Sequence, residues 1–151
     1  MNNNKFLINT NLDTFIFINK IISIDNTNII GTAENKTSDL LVLLETMAQF
    51  GAMHVRYLIN FEKHAFLIKI KDLFISDIIF KGKVQVNGKC VAKSDISFKY
   101  YLTVQTIDNK QIASGYYLFS TQKYGSEFKS EKIKKHYQDL FLCLQKNLKK
   151  I

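Results

Sequence analysis

The stretch DLLVLLETMAQFGAMHVRYLI, residues 39–59, decides the fold of this chain, because most of its side chains are apolar. They fall on every side of a helical wheel, so the pattern predicts a helix enclosed by other structure rather than one lying on a surface. Glu45 is a carboxylate inside this segment. Burying an ionised side chain without partners is costly, so we expect Glu45 to be hydrogen-bonded, protonated or facing a ligand cavity.

The segment before this helix has the composition of a β-hairpin. Residues 15–25 are rich in β-branched and aromatic side chains, and the absence of clean alternation predicts a strand buried on both faces. Residues 25–28 form a turn cluster, and residues 29–34 predict the second strand. Thr37 or Ser38 is expected to cap the helix that follows.

After the helix the pattern changes to a run of strands. These are predicted at residues 65–76, 83–93, 97–107 and 111–121. In the first of them, Phe66, Ile68 and Ile70 are expected on one face and lysines on the other. Asn87-Gly88 is expected to be a bulge or bend, although a hairpin turn would also fit there.

The end of the chain predicts an amphipathic helix at residues 131–151, with an apolar stripe surrounded by lysines. Its simplest role is to dock on its own domain or on a dimer mate, and the alternative is contact with a partner or a membrane surface. Residues 123–129 are the only plausible joint, so we divide the chain into a domain at 1–124 and a helical tail at 125–151.

Composition sets broad limits on function. A chain of 151 residues is most simply one domain plus its tail, and the net charge of +8 fits either an acidic partner or the drift of a Lys- and Asn-rich genome. Cys90 and Cys143 have no metal spacing and predict free, buried thiols. No apolar run is long enough to span a bilayer and the start has no signal-peptide pattern, so a cytoplasmic location is expected.

The order of elements, together with the motif ETMAQFGA at residues 45–52, resembles the hotdog fold of the 3-hydroxyacyl-ACP dehydratases, whose helix motif reads E-x-M-A-Q-x-G-[GA]. The resemblance covers about residues 15–121. It implies an α+β fold in which an antiparallel sheet wraps around a long central helix. It also implies a homodimer whose sheets join edge to edge, with sites at the interface.

One departure from that family bears directly on function. The dehydratases carry a His-Phe-Pro-Gly element in the loop before this helix, whereas residues 34–39 contain no His, Pro or Gly. Dehydration needs both a base and an acid, and half of that machinery has no evident source here. His54 lies about 180° from Glu45 on the helical wheel. His54, His64 and His136 are each expected to be structural, the last as a solvated residue, and the alternative for His64 is that it approaches a site from the partner chain.

The resemblance implies a site around Glu45, which would act as a base, orient a water molecule, or serve only as a satisfied buried acid. Gln49, one turn later, would line the site or hold Glu45. Backbone N–H groups near Ser38 and Asp39 could polarise a thioester carbonyl. Apolar residues that could line an acyl tunnel, although such residues are more often plain core, are Leu41, Leu44, Met47 and Ala48.

Three functions follow from these observations. The first is binding of acyl-CoA or acyl-ACP by a dehydratase-like protein that lacks the catalytic histidine. The second is an acyl-CoA or acyl-ACP thioesterase that uses Glu45 alone. The third is an interaction scaffold that uses the basic tail, in which nucleic acid is the weakest partner because no recognisable binding motif is present. No cofactor or metal is expected.

Overall fold

The computed structural model describes residues 16–77, 81–125 and 130–146. In chain order its elements are β1 (Ile18–Ile24), β2 (Asn28–Asn35), α1 (Leu40–Leu58), β3 (His64–Ile75), β4 (Gly82–Lys93), β5 (Ser97–Thr106), β6 (Gln111–Gln122) and α2 (Ser130–Lys146). The predicted order of hairpin, helix, strands and terminal helix is confirmed.

All six strands form one antiparallel sheet in the order β1-β2-β4-β5-β6-β3. Helix α1 packs across this sheet and contacts all six strands. Its buried residues include Leu43, Met47 and Phe50, which pack into the same core as Leu102 of β5 and Phe119 of β6. The sheet therefore wraps around a central helix, as the sequence predicts.

The start of α1 differs from the prediction in one respect. Asp39, not Thr37 or Ser38, caps the helix, and its Oδ1 accepts a hydrogen bond of 2.8 Å from the N–H of Leu41. Aspartate satisfies an unpaired N–H of the first turn as well as a hydroxyl does. The helix is also not enclosed along its whole length, because Leu41 is 72% exposed.

Gly51 lets the middle of α1 approach the sheet closely. A Cβ at this position would lie 2.4 Å from Cζ of Phe119 and 3.4 Å from Cδ1 of Leu102. Both of these side chains are fully buried. The absence of a side chain at Gly51 therefore allows β5 and β6 to pack directly against the helix backbone.

Strand β1 is less buried than its apolar sequence predicts. Ile18 and Ile21 are buried, but Ile22 is largely exposed. The expectation of burial on both faces is wrong because β1 lies at one end of the sheet, and its pairing with β2 is irregular at two places. The turn after it is as predicted, since Asp25 Oδ1 accepts 2.7 Å hydrogen bonds from the N–H groups of Thr27 and Asn28.

Strand β3 lies at the opposite end of the sheet and pairs only with β6 among the described strands. Its register shifts between Leu67 and Lys69, so Ile68 is an extra residue and is 55% exposed. The expected single apolar face at Phe66, Ile68 and Ile70 is therefore wrong. A bulge rotates the side chains that follow it, which alternation alone does not reveal.

Strand β4 runs unbroken through Asn87 and Gly88, which excludes a hairpin turn at that point. The irregularity predicted at Asn87-Gly88 lies instead between Cys90 and Ala92, where the pairing with β5 shifts. Cys90 is a free, half-buried cysteine, and so is Cys143 in α2.

Helix α2 docks on its own domain with the apolar stripe that the sequence predicts. Leu140, Phe141 and Leu144 are buried in the common core. The ring of Phe141 lies 5.6 Å from that of Tyr57 and 5.5 Å from that of Phe61. Residues 147–151 of the predicted helix and residues 126–129 of the predicted joint lie outside the described residues. Within the described helices, neither combines the length and apolarity that a membrane crossing requires.

Candidate functional site

A cavity of about 390 Å³ lies beside α1, between that helix, α2 and the edge strand β3. This volume is within the range of small-molecule sites. Its wall is mainly apolar, and the lining residues are Ile16, Ile18, Glu45, Ala48, Gln49, Ala52, Met53, Arg56, Ala65, Phe66, Leu67, Phe119, Tyr137 and Leu140.

Glu45 and Gln49 form the polar part of one end of this wall. The side-chain amide of Gln49 donates to Oε1 of Glu45 at 3.2 Å. Oε1 of Gln49 in turn accepts from the N–H of Phe17 at 2.9 Å. The Gln49 amide is therefore fixed from both sides and holds the carboxylate of Glu45 in one place. The expected hydrogen bond between these two residues is present.

The carboxylate of Glu45 also influences the core behind it. Burial, and after it the negative charge of Glu45, raise the pKa of Tyr117. The hydroxyl of Tyr117 is neutral at physiological pH and donates to the sulfur of Met47 at 3.3 Å. Met47 is fully buried and belongs to the core rather than to the cavity wall.

The other residues expected at the site fall into two groups. Ala48 lines the cavity together with Glu45 and Gln49. Ser38, Asp39, Leu41 and Leu44 are not among the lining residues. The N–H of Leu41 is occupied by the Asp39 carboxylate, so the start of the helix has one free donor fewer than the resemblance implies.

His54 lies away from Glu45, as the helical wheel predicts, and it is fully buried. Its Nε2 is 2.7 Å from the carbonyl oxygen of Asp25, and its Nδ1 is 2.5 Å from the hydroxyl of Tyr100. Because the carbonyl only accepts, Nε2 donates, and Nδ1 of the neutral ring accepts from Tyr100. Burial lowers the pKa of His54, which favours this neutral form.

The two other histidines flank the opposite end of the cavity. The ring of His64 packs edge-on against Tyr124 at 4.4 Å, and His136 lies in α2. His136 is half-buried, and its Nε2 is buried without a hydrogen-bond partner among the described residues. The expectation that His136 is solvated is therefore wrong, because α2 turns this side chain toward the domain. Neither histidine lines the cavity.

Arg56 is a charged residue of the cavity wall that the sequence analysis did not include in the site. The helix contributes Glu45, Ala48, Gln49, Ala52, Met53 and Arg56 to the wall. Eleven residues separate Glu45 from Arg56, which places them about 20° apart on a helical wheel and three turns apart along the axis. The spacing from Glu45 would have found Arg56, whereas nothing in the sequence points to Tyr137 and Leu140 of α2.

Across residues 16–77, 81–125 and 130–146, no three His, Cys, Asp or Glu side chains come together in a way that could hold an ion. The polar side chains among the lining residues are Glu45, Gln49, Arg56 and Tyr137, so the cavity offers one carboxylate, one carboxamide, one guanidinium and one phenol in a mainly apolar wall.

Comparisons with known proteins bear on the fold. No family model matches the sequence, and no curated protein matches it significantly. Among solved structures, a conserved protein of Pseudomonas aeruginosa is similar with a TM-score of 0.62 and 12% identity, over 80% of this chain and 99% of that one. A thioesterase of Haemophilus influenzae is similar with a TM-score of 0.59 and 13% identity, over 68% and 77%.

A third similar structure, a Streptococcus mutans protein bound to acetyl CoA, has a TM-score of 0.58 and 12% identity, over 69% of this chain and 88% of that one. At such low identity these likenesses bear on architecture alone. They agree with the six-stranded antiparallel sheet and the helix packed across it. The chain therefore has the hotdog fold.

Proposed function

We propose that this chain binds acyl thioesters, carried by CoA or by acyl carrier protein, in the cavity beside Glu45, as a cytoplasmic protein. The observation that carries the proposal is the fixed Glu45–Gln49 pair on the wall of a mainly apolar cavity. An apolar wall suits an acyl chain, and a few placed polar groups suit its thioester head. Similar folds that hold acetyl CoA or coenzyme A support the same ligand class.

Within this proposal Glu45 faces the thioester and Gln49 is a positioning residue. Both ends of the Gln49 amide are engaged, one by Glu45 and one by the backbone of Phe17. The acyl chain would lie along α1 against Ala48, Ala52 and Met53, which are the apolar residues of its cavity face.

Binding is tested by calorimetric titration of the protein with decanoyl-CoA and with CoA alone. We expect decanoyl-CoA to bind at least tenfold more tightly, because only the acyl chain buries apolar area in the cavity. Leu41→Ala is the control variant and should bind both compounds as the wild type does, since Leu41 is apolar but exposed and outside the cavity. Equal affinity for the two compounds, or no binding of either one, would contradict the proposal.

A second candidate function is thioester hydrolysis, and the position of the Glu45 carboxylate on the cavity wall favours it. The carboxylate would take a proton from water as the water oxygen attacks the thioester carbonyl. The carbon–sulfur bond then breaks, and the thiolate leaves and takes up a proton. A general base of this kind contributes about a hundred- to ten-thousandfold to the rate.

Hydrolysis is measured as thiol release from decanoyl-CoA by the wild type and by Glu45→Gln, which keeps the shape of the side chain. If the chain is a thioesterase, the variant should lose about a hundredfold or more. Equal rates for the two proteins would remove Glu45 from catalysis and leave binding as the function. Dehydration has less support, because the connection at residues 36–39 holds no histidine and none of the three histidines lines the cavity.

A homodimer is part of the proposal, and the edge strand β3 supports it. Ile68 and Phe74 on this strand are 55% and 51% exposed. An edge strand with exposed apolar side chains tends to pair with another chain. Phe66 and Leu67 of the same strand line the cavity, so a second copy paired there would help to close it.

Sedimentation velocity at micromolar concentration tests the dimer. Ile68→Lys should shift the protein to a monomer, because a charge on the edge opposes strand pairing. Ile107→Lys is the control, since Ile107 is equally exposed but follows β5, away from the β3 edge. A wild-type monomer would contradict the dimer. The scaffold function has less support, because the apolar stripe of α2 is already buried in its own core.

A further inference from the structure

Arg56 has an unusual environment at the far end of the cavity from Glu45. One terminal nitrogen, Nη2, donates to the carbonyl oxygen of Ala65 at 3.2 Å. The flat face of the guanidinium covers the ring of Tyr137, with its carbon 4.0 Å from the ring centroid. Its Nε is buried and has no hydrogen-bond acceptor among the described residues. A buried donor that lacks an acceptor is costly to the fold.

No carboxylate neutralises this cation within the described ranges. The one salt bridge found there joins Lys134 to Glu62 at the surface. Glu45 is eleven residues away, about 16 Å along the helix axis. Burial lowers the pKa of Arg56, but a guanidinium keeps its charge in proteins. The cavity therefore has a carboxylate at one end and, at the other, a guanidinium that no carboxylate among the described residues neutralises.

The positive charge of Arg56 also acts on the pKa values of two neighbouring histidines. Burial lowers the pKa of His64, and the charge of Arg56 lowers it further. The pKa of His136 is also lowered, first by burial and then by Arg56, against an opposing effect of Asp139. Nε2 of His136 is a second buried nitrogen without a partner among the described residues. Two buried nitrogens at this end of the cavity, Nε of Arg56 and Nε2 of His136, thus have no hydrogen-bond partner within residues 16–77, 81–125 and 130–146.

We propose that the Arg56 end of the cavity binds the carboxylate of an acyl ligand. Arg56 lines the cavity, and a guanidinium donates strong, charge-assisted hydrogen bonds to a carboxylate. The carboxylate comes either from the head of a free fatty acid or from the far end of a dicarboxylyl thioester whose thioester lies at Glu45. This inference rests on the function proposed above, because it assigns a charge to the ligand of the same cavity.

A structural role is the alternative for Arg56, since its contacts also tie α1 to β3 and α2 through Ala65 and Tyr137. Such a role would weaken folding when Arg56 is replaced, but it would not make the cavity distinguish charged from neutral ligands of equal length. Comparing the affinities of the wild type for an acid and for the alcohol of equal length therefore separates the two roles. This comparison does not depend on whether an Arg56 variant folds.

The experiment is calorimetric titration at neutral pH with dodecanoic acid, dodecanol, dodecanoyl-CoA and dodecanedioyl-CoA. The proteins are the wild type, Arg56→Gln, Arg56→Lys and Lys134→Gln. The last removes a surface cation of α2 that contacts Glu62 outside the cavity, and it serves as the matched charge control. A free fatty acid as ligand predicts a preference for dodecanoic acid over dodecanol. A dicarboxylyl thioester predicts a preference for dodecanedioyl-CoA over dodecanoyl-CoA.

We expect one of these preferences at about ten- to a hundredfold, the range of a charge-assisted hydrogen bond. Arg56→Gln should abolish it, Arg56→Lys should keep part of it, and Lys134→Gln should leave it unchanged. Equal affinity within both pairs, or an unchanged preference in Arg56→Gln, overturns the inference. If the acyl-CoA compounds bind without such a preference, the inference fails and the proposed function stands. If Arg56 gives a preference for the free acid but no acyl-CoA compound binds, the inference stands and the proposed function fails.

Histidine titration by NMR adds a readout that a structural role would not move. A carboxylate bound beside Arg56 offsets its charge, so the pKa of His64 should rise when dodecanoic acid or dodecanedioyl-CoA is bound. Dodecanol should leave that pKa unchanged, and so should the charged ligands with Arg56→Gln. A pKa of His64 that shifts equally with the alcohol would contradict the inference.

Discussion

Replacing Gly51 by alanine tests how tightly the central helix is packed against the sheet. The added Cβ would lie 2.4 Å from Cζ and 2.5 Å from Cε2 of Phe119, well inside van der Waals contact. Phe119 is fully buried, and its ring packs edge-on against Tyr100 at 5.6 Å. Overpacking of this kind costs about 1–3 kcal/mol. Two such short contacts to ring carbons place Gly51→Ala in the upper half of that range.

Helix propensity acts in the opposite direction, because alanine stabilises a helix interior by about 1 kcal/mol relative to glycine. The net expectation for Gly51→Ala is a loss of about 1–2 kcal/mol in the free energy of unfolding. Urea denaturation measures this as a lower midpoint at an unchanged slope. Phe119 also lines the cavity, so displacement of its ring should weaken decanoyl-CoA binding as well.

Two variants make this reasoning refutable. Gly125→Ala adds a Cβ with nothing within 4 Å and should change stability by less than about 0.5 kcal/mol. Phe119→Leu removes the ring that the Cβ of Gly51→Ala would meet. The loss of unfolding free energy in the double variant should therefore be smaller than the sum of the two single losses, by about 0.5 kcal/mol or more. A Gly51→Ala protein that is more stable than the wild type would refute the close packing, because propensity alone would then decide the outcome.

Four further predictions concern the buried His54–Tyr100 pair, the cavity and a surface ion pair. The pKa of His54 is lowered in the folded chain, so the unfolded chain binds the proton first. Stability should fall as the pH drops below about 6.5, by at most ~1.4 kcal/mol per pH unit for this residue, and His54→Gln should flatten that slope in urea denaturation. Tyr100→Phe removes the donor to Nδ1 of His54 and should cost about 1–3 kcal/mol in the same assay. Ala48→Leu fills part of the cavity and should weaken decanoyl-CoA binding about tenfold or more, while the far-ultraviolet circular dichroism spectrum stays unchanged. Lys134→Ala breaks a surface ion pair with Glu62 and should cost less than about 1 kcal/mol.

Each of these four predictions has an outcome that would contradict it. A slope with pH that is the same in wild type and His54→Gln would mean that this ring does not exclude the proton. Full stability of Tyr100→Phe would mean that its hydroxyl is not the partner of His54. Undiminished binding by Ala48→Leu would put the ligand elsewhere, and a loss of several kcal/mol in Lys134→Ala would show that its ion pair is not solvent-screened.

The elements of this fold were predictable because their signals are local. The apolar run of α1 and the stripe of α2 predicted two helices within a few residues of their bounds, and the Asp25 turn was read correctly from side chains that bond their own backbone. The Glu45–Gln49 hydrogen bond followed from helical spacing alone. Periodicity and turn chemistry depend on neighbouring residues only, so they survive without knowledge of the fold.

The errors concern properties that the whole fold decides. The exposure of Ile22 depends on β1 lying at the end of the sheet, and the exposure of Ile68 depends on a bulge opposite β6. The burial of His136 depends on how α2 docks. Arg56 was missed for a different reason, since its position relative to Glu45 could be worked out but its lack of a partner could not. An unpaired donor becomes visible only when all the surrounding acceptors are placed.

The walls of the cavity come from two different parts of the chain. Glu45 lies on the central helix α1, whereas Tyr137 and Leu140 come from α2, the helix that follows the last strand. Substitutions in α2 can change the size and charge of the chamber without touching the central packing at Gly51. Exchanging this one terminal segment would therefore change the wall at Tyr137 and Leu140 and leave the Glu45–Gln49 pair intact.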